Sequence, residues 1–271
     1  MKTRIISGIV LGILVVAAMY LGGPLLYLFC AVASFVGMFE LYRIFEIQNK
    51  APGIIGYLMA FVFYLNLSRG GDRQIEAVLL IAGLMALMTL YVLKFPAFKT
   101  EQIVIAFFGV IYVAVMLSYI YRCRMEELGF YYSWIIWAGS WVNDTFAYFT
   151  GMAFGKHKMA KVLSPKKTIE GAIGGIVMTT IIATVFGYFL NTLAHIDQPE
   201  MPLVFMAAGA ISSLLGIIGD LSASAIKRNH NIKDYGKLIP GHGGILDRFD
   251  SVIFTAPAVY WSVALLSQIF H

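Results

Sequence analysis

Runs of about 20 apolar residues follow one another along nearly the whole chain, each long enough to cross the hydrocarbon core of a bilayer. That pattern leaves few folds open. Inside lipid every backbone N–H and C=O must be satisfied internally, so a spanning chain is helical or a closed barrel. Barrel strands are shorter, about 10 residues, and alternate in polarity. The runs here are long and uniformly apolar, so the expected fold is all-α and polytopic. Composition agrees: 59% of residues are hydrophobic and 13% charged, against about 25% charged in a soluble domain. In 271 residues this leaves almost no soluble portion.

Nine spans are expected, near residues 5–21, 25–42, 53–67, 75–93, 103–121, 131–154, 169–192, 202–225 and 249–270, with 53–67 the shortest. Lys2 and Arg4 before the first run resemble the start of a signal peptide, but the many spans that follow favour an uncleaved first anchor helix. Basic residues set the orientation. With the N-terminus in the cytoplasm, only Arg69, Arg73, Arg122 and Arg124 of the 20 lysines and arginines fall outside. The acidic loop from His195 to Met201 and the C-terminus also fall outside. An eight- or ten-span count places a large basic loop on the wrong face.

The net charge is +5. Because the cations lie in loops beside spans, anionic lipid headgroups and phosphates explain them better than nucleic acid. Cys30 and Cys123 offer neither zinc spacing nor a disulfide framework. Residues 1–130 have short loops and almost no buried charge and are expected to be scaffold. Residues 131–271 carry two long basic loops, Gly155–Thr168 and Lys227–Arg248, and are expected to hold the chemistry, within one integrated membrane domain.

Asp144 and Asp220 fall inside expected spans. An ionisable group there faces a wet cavity, a partner or an ion, or clasps two helices together. Asp220, Ser224 and Lys227 recur at i, i+4 and i+7 and share one helix face. Asp247 and Asp250 share a face at the start of the last span. A helix N-terminus favours carboxylates by itself, and Arg248 offers them a partner. Alternatively, oxygen ligands of this kind suit Mg²⁺, which commonly takes one or two carboxylates plus substrate phosphates.

Pro240-Gly241-His242-Gly243-Gly244 precedes that last span. It is either a glycine-rich turn or a phosphate cradle at a helix start. Ser164-Pro165-Lys166-Lys167-Thr168 leads into the span near 169, with Thr168 the expected cap. Its lysines are either positive-inside anchors or phosphate contacts. Gly171-x-x-x-Gly175 is a small-residue face suited to close helix packing. His157 and His230 are read as surface or hydrogen-bonded histidines. His242 is read as a phosphate or backbone contact, because a phosphomonoester is already a nucleophilic anion near neutral pH and needs little base catalysis.

Between Ser224 and Asp250, the residues Lys227-Arg228, Lys233-Asp234, Gly236, Pro240, His242-Gly243-Gly244, Asp247-Arg248 and Asp250 resemble the signature of the phosphatidate cytidylyltransferases, or CDP-diacylglycerol synthases. Asn143-Asp144, Phe154-Gly155-Lys156, Ser164 to Thr168 and Glu170-Gly171 resemble the same family. The likeness is dense from Trp141 to Asp250. It implies transfer of a cytidylyl group from CTP to phosphatidate with release of pyrophosphate, in a homodimer at the cytoplasmic face of the inner membrane. It also implies Mg²⁺, with K⁺ as a second cation. By position, Asp220 and Asp247 are the expected metal ligands, joined by Asp144 and Asp250. Lys227 is an expected catalytic residue beside Asp220 and Asp247. Ser164, Lys166, Lys167, Ser224, Arg228, His242, Gly243, Gly244 and Arg248 are expected to contact CTP or the lipid phosphate. The competing readings are a CTP-dependent lipid kinase, an ion pathway lined by Asp144 and Asp220, and a structural membrane subunit.

Overall fold

The computed structural model describes the backbone of residues 2–192, 196 and 198–270, and the side chains of 6–192, 196 and 198–269. His195 and Asp197, two of the charges in the expected acidic loop, lie outside the described residues. In chain order the elements begin with α1 (Lys2–Leu21), α2 (Gly23–Ile44), α3 (Ala51–Ser68), α4 (Arg73–Leu93) and α5 (Thr100–Gly109). A π-helical turn, Val110–Val115, joins α5 to α6 (Met116–Met125). Next come α7 (Gly129–Trp137), a second π-helical turn (Ala138–Val142) and α8 (Asn143–Phe154). Strands β1 (Lys158–Ala160) and β2 (Ser164–Thr168) then precede α9 (Ile169–Thr192), α10 (Met201–Asn229), the short α11 (Leu246–Phe249) and α12 (Val252–Phe270).

Among the described residues, seven helices are long and apolar enough to cross a membrane: 23–44, 51–68, 73–93, 100–125, 169–192, 201–229 and 252–269. They coincide with seven of the nine expected spans. The first expected span, 5–21, falls on α1, whose stretch with described side chains, Ile6–Leu21, is apolar. The sixth, 131–154, is split between α7 and α8 by the π-helical turn at Ala138–Val142. The expectation of helices alone also needs one amendment. The loop 155–168 folds back as a small antiparallel hairpin, with Lys158 opposite Thr168 and Ala160 opposite Ser164.

The chain divides into two compact units. One contains Met1–Ser118 together with Asp234–Asp247; the other contains Tyr119–Lys233 together with Arg248–His271. The signature segment is thus shared out, its stretch from Asp234 to Asp247 belonging with the N-terminal helices.

In the first unit, Tyr42 is the central side chain. It is fully buried on α2 and donates its hydroxyl to the carbonyl of Ala106 on α5, 2.5 Å away. A Cβ at Gly56 or Gly109 collides with its ring or hydroxyl, so those glycines open the space it fills. Tyr64 on α3 exchanges a hydrogen bond with Ser34 on α2 at 2.7 Å. By contrast α4 buries only Gly83 and Leu87. Its remaining apolar surface is the kind a helix turns toward lipid.

In the second unit, small residues bring helices into backbone contact. A Cβ added at Gly171 lies 2.6 Å from the carbonyl of Ala147, and one at Gly175 lies 2.7 Å from that of Asn143. The expected Gly171-x-x-x-Gly175 face therefore packs α9 against α8. Gly219 on α10 is similarly confined, since a Cβ added there lies 2.7 Å from the carbonyl oxygen of Asp250. Thr255 on α12 donates to the carbonyl of Ile136 on α7 at 3.0 Å. Adding bulk to these seams forces the backbones apart. Gly175→Val is expected to destabilise the protein by about 1–3 kcal/mol, read as a lowered unfolding midpoint of the detergent-purified protein.

Candidate active site

Close packing of α8, α9 and α10 determines which polar groups meet in the second unit. The π-helical turn at Ala138–Val142 resets the helical phase just before α8. Asn143 turns inward, 1% exposed, against Gly175. Asp144 beside it remains exposed within the protein. The hairpin carries the cation toward it. Along β2 burial increases toward α9: Lys166 is exposed, Lys167 half-buried and Thr168 buried. The Lys167 ammonium forms an ion pair with Asp220 of α10 and lies 3.9 Å from Asp144 of α8.

Three elements far apart in sequence thus contribute to one charge cluster. Burial works against the charge on Lys167, but the carboxylates of Asp220 and Asp144 outweigh it and hold its pKa above the usual lysine value. The ammonium is therefore protonated at neutral pH, and its charge is lost as pH rises through that raised pKa.

The hairpin that presents Lys167 is tied down at both ends. Thr168 accepts from the amide of Gly171 at 3.1 Å and so caps α9 as expected. Glu170 accepts from the amides of Lys156 at 3.1 Å and His157 at 3.2 Å, and pairs with the His157 ring at 2.6 Å. His157 is accordingly an exposed, hydrogen-bonded histidine.

Asp250 adds a further carboxyl group, half-buried and within electrostatic range of Asp220, Lys227 and Asp144, which accepts the amide of Ser251 at 2.8 Å. Arg248 acts on Asp144 in the same way. Along α10, Ser224 and Lys227 are both buried on the face that carries Asp220. Arg228 points out and donates to the carbonyl of Ile232 at 3.1 Å, closing the turn after α10. Ser164 is half-buried where β2 begins.

The first unit holds His242, Gly243, Gly244 and Asp247. Here the chain makes a tight turn in which Gly241 has φ 79° and Gly243 φ 86°, a region that favours glycine. The amide of Ile239 donates to the carbonyl of Gly243 at 2.8 Å. Asp247 is 5% exposed, and one carboxylate oxygen accepts from the amides of Tyr235 at 2.7 Å and Gly244 at 3.0 Å. The Gly244 amide, expected as part of a phosphate cradle, is thus bound to a protein carboxylate. The oxygen of Ser7 on α1 lies 2.8 Å from His242 Nδ1 and 3.0 Å from the carbonyl oxygen of Pro240. The Nδ1 of His242 is thereby tied to α1, whichever of the two atoms carries the shared proton.

One polar contact was missed from sequence. Glu40 of α2, 3% exposed, accepts from the amides of Ile245 at 3.1 Å and Leu246 at 2.9 Å. Arg43, one turn later, donates to the carbonyl of Tyr235 at 2.6 Å. The N-terminal half therefore carries a buried carboxyl group that the sequence reading did not single out. A carboxylate near the end of an apolar run was the available signal.

The family model for the cytidylyltransferase family matches residues 2–266. The chain belongs to the cytidylyltransferase family. It is 34% identical over 275 residues to a protein of Bacillus subtilis strain 168 named phosphatidate cytidylyltransferase, covering 98% of this chain and 99% of that one. Proteins of the same name from Staphylococcus saprophyticus and from Staphylococcus aureus strain COL are each 33% identical, covering 95% of this chain and 96% of theirs. The likeness to these cytidylyltransferases therefore runs through the N-terminal helices as well as the motif-rich half.

The donor chemistry of this cytidylyltransferase fits a hard cation, since Asp144, Asp220, Asp247 and Asp250 offer oxygen alone. No three His, Cys, Asp or Glu side chains among the described residues are already gathered around a metal position. In this arrangement Asp220 is instead neutralised by Lys167. A double-mutant cycle on Lys167→Ala and Asp220→Asn is expected to show a coupling of about 0.5–3 kcal/mol in unfolding free energy. Additive effects would mean the pair contributes nothing to the fold.

Proposed function

We propose that this chain is a phosphatidate cytidylyltransferase, making CDP-diacylglycerol and pyrophosphate from CTP and phosphatidate in phospholipid biosynthesis. The observation that carries this reading is the Lys167 ammonium held between Asp144 and Asp220 in a protein of otherwise apolar helices. A nucleotide from water and a phosphate anchored in lipid both need charged partners beside a membrane. Relatives of the same name, alike over nearly the whole chain, support the substrates.

In the proposed reaction a phosphate oxygen of phosphatidate attacks the α-phosphorus of CTP. The bond from that phosphorus to the bridging oxygen of the β-phosphate breaks, and pyrophosphate leaves with the electron pair. Such transfers depend mainly on positioning and on neutralising charge around phosphorus. Asp220 and Asp247 are the residues proposed to hold Mg²⁺, with Asp144 and Asp250 beside them and K⁺ as a second cation. Bound Mg²⁺ would supply charge neutralisation on the phosphate oxygens.

Lys167 is proposed to exchange its carboxylate partners for CTP phosphate, with Lys166, Ser164 and Arg248 as further contacts. Lys227 sits on the Asp220 face and is proposed to neutralise charge at the reacting phosphates. Ser224, Arg228, His242, Gly243 and Gly244 complete the proposed substrate contacts. The distribution of lysines and arginines supports a cytoplasmic N-terminus and a site facing the cytoplasm in a multi-pass inner-membrane protein. Anionic headgroups beside the basic loops and a homodimeric assembly belong to the same proposal.

Purified protein given labelled CTP, phosphatidate and Mg²⁺ is expected to form a nucleotide-linked lipid and pyrophosphate. Release of CDP with a new lipid monophosphate would show a kinase instead. Asp247→Asn and Asp220→Asn are expected to lower kcat at least about 100-fold, the scale on which a transition-state electrostatic group acts, while the protein still inserts. Lys167→Ala is expected chiefly to raise the KM for CTP. An unchanged KM would leave that lysine a structural counter-ion.

A further inference from the structure

We infer that Glu40, on the second helix of the N-terminal half, is a positioning residue that sets the placement of Asp247 by gripping the backbone just before it. The inference rests on the proposed nucleotidyl transfer for its kinetic consequence and on geometry for everything else.

The segment Gly244-Ile245-Leu246-Asp247 presents successive amides at a helix start, where backbone N–H groups lack helical partners. Two carboxylates divide them. Asp247 takes the Gly244 amide, and Glu40 takes those of Ile245 and Leu246, one on each oxygen. Asp247 also takes the amide of Tyr235, and Arg43 takes the carbonyl of that same residue. Both ends of the loop 235–246 are therefore pinned to α2 or to Asp247.

Glycine makes the grip possible. A Cβ at Gly236 or Gly244 collides with the Glu40 carboxyl, and one at Gly243 lies 2.7 Å from an Asp247 oxygen. Two glycines thus pack on Glu40 and one on Asp247. Tyr42, buried between α2, α3 and α5, holds the α2 backbone from which Glu40 and Arg43 extend.

The chemistry of Glu40 is specific. A carboxylate accepts at both oxygens, whereas a glutamine of equal shape has one accepting oxygen and an NH₂ that only donates. Glu40→Gln therefore turns one of the two amides toward another donor. The position of Asp247 follows, because its own backbone succeeds the two amides that Glu40 holds.

The test uses the full-length protein in detergent. Hydrogen exchange is followed without nucleotide or metal, and Mg²⁺ dependence is followed in the CTP and phosphatidate assay. For Glu40→Gln, exchange across Ile245 and Leu246 is expected to accelerate about tenfold, the scale of one lost hydrogen bond to a charged group. Half-saturation by Mg²⁺ is expected to rise by a similar factor while the KM for phosphatidate holds. Glu40→Asp keeps both accepting oxygens on a shorter stem and should recover part of each shift. Should Glu40→Gln not purify folded, Gly236→Ala, which drives a methyl group into the Glu40 carboxyl, is expected to give the same two shifts.

Unchanged exchange, or faster exchange with an unmoved Mg²⁺ requirement, overturns the positioning role. If the unmutated protein makes no nucleotide-linked lipid, the reaction assigned above fails, and the exchange measurement still decides whether Glu40 holds the loop.

Discussion

A charge carried on an apolar helix must be answered by another group, and in the second unit the answer is one ammonium. Lys167 reaches Asp220 and Asp144 from a hairpin that belongs to neither helix. Without it, the carboxylates of Asp220 and Asp144 would repel one another. The inward face of β2, the cap at Thr168 and the tie between Glu170 and the residues before β1 all serve to keep that ammonium in place.

Glycine is the second recurring requirement, and its use follows the same logic. Gly171 and Gly175 let α9 touch the backbone of α8, and Gly219 lets α10 touch the carbonyl of Asp250. Each contact sits within a few residues of a cluster member, so helix spacing and charge placement are set together. In the first unit Gly56 and Gly109 make room for Tyr42 between helices, while other glycines serve a loop: Gly236 and Gly244 clear the space that Glu40 occupies, and Gly241 and Gly243 supply the positive φ the turn needs. Small residues thus serve helix packing in both units and, in the first, also give a carboxylate access to backbone amides.

Much of this was legible in the residues. Long apolar runs announced helices because lipid permits little else, and seven of nine landed on helices of spanning length. The i, i+4, i+7 spacing put Asp220, Ser224 and Lys227 on one face, and Gly171-x-x-x-Gly175 announced a packing seam. Other features depended on partners distant in sequence. The hairpin within 155–168 depends on cross-strand pairing, for which a basic, proline-bearing loop gives little signal. Lys166 and Lys167 looked alike until β2 left one exposed and the other half-buried. The grip of Glu40 joins residues about 200 positions apart, a distance no local pattern encodes.

What the sequence alone determined is the class of fold and the chemical inventory: helices crossing lipid, and a set of carboxylates, lysines and glycines suited to phosphate chemistry. Those follow from composition and short-range periodicity, which every residue reports locally. Tertiary structure alone decided the pairings: that Lys167 answers Asp220, that the Gly244 amide belongs to Asp247, and that a glutamate in the scaffold half holds the amides ahead of that aspartate. The reason is physical. A buried charge or amide takes whichever partner the packed backbones bring within about 3 Å, and that choice is made by the close approach of helices rather than by neighbours in the chain.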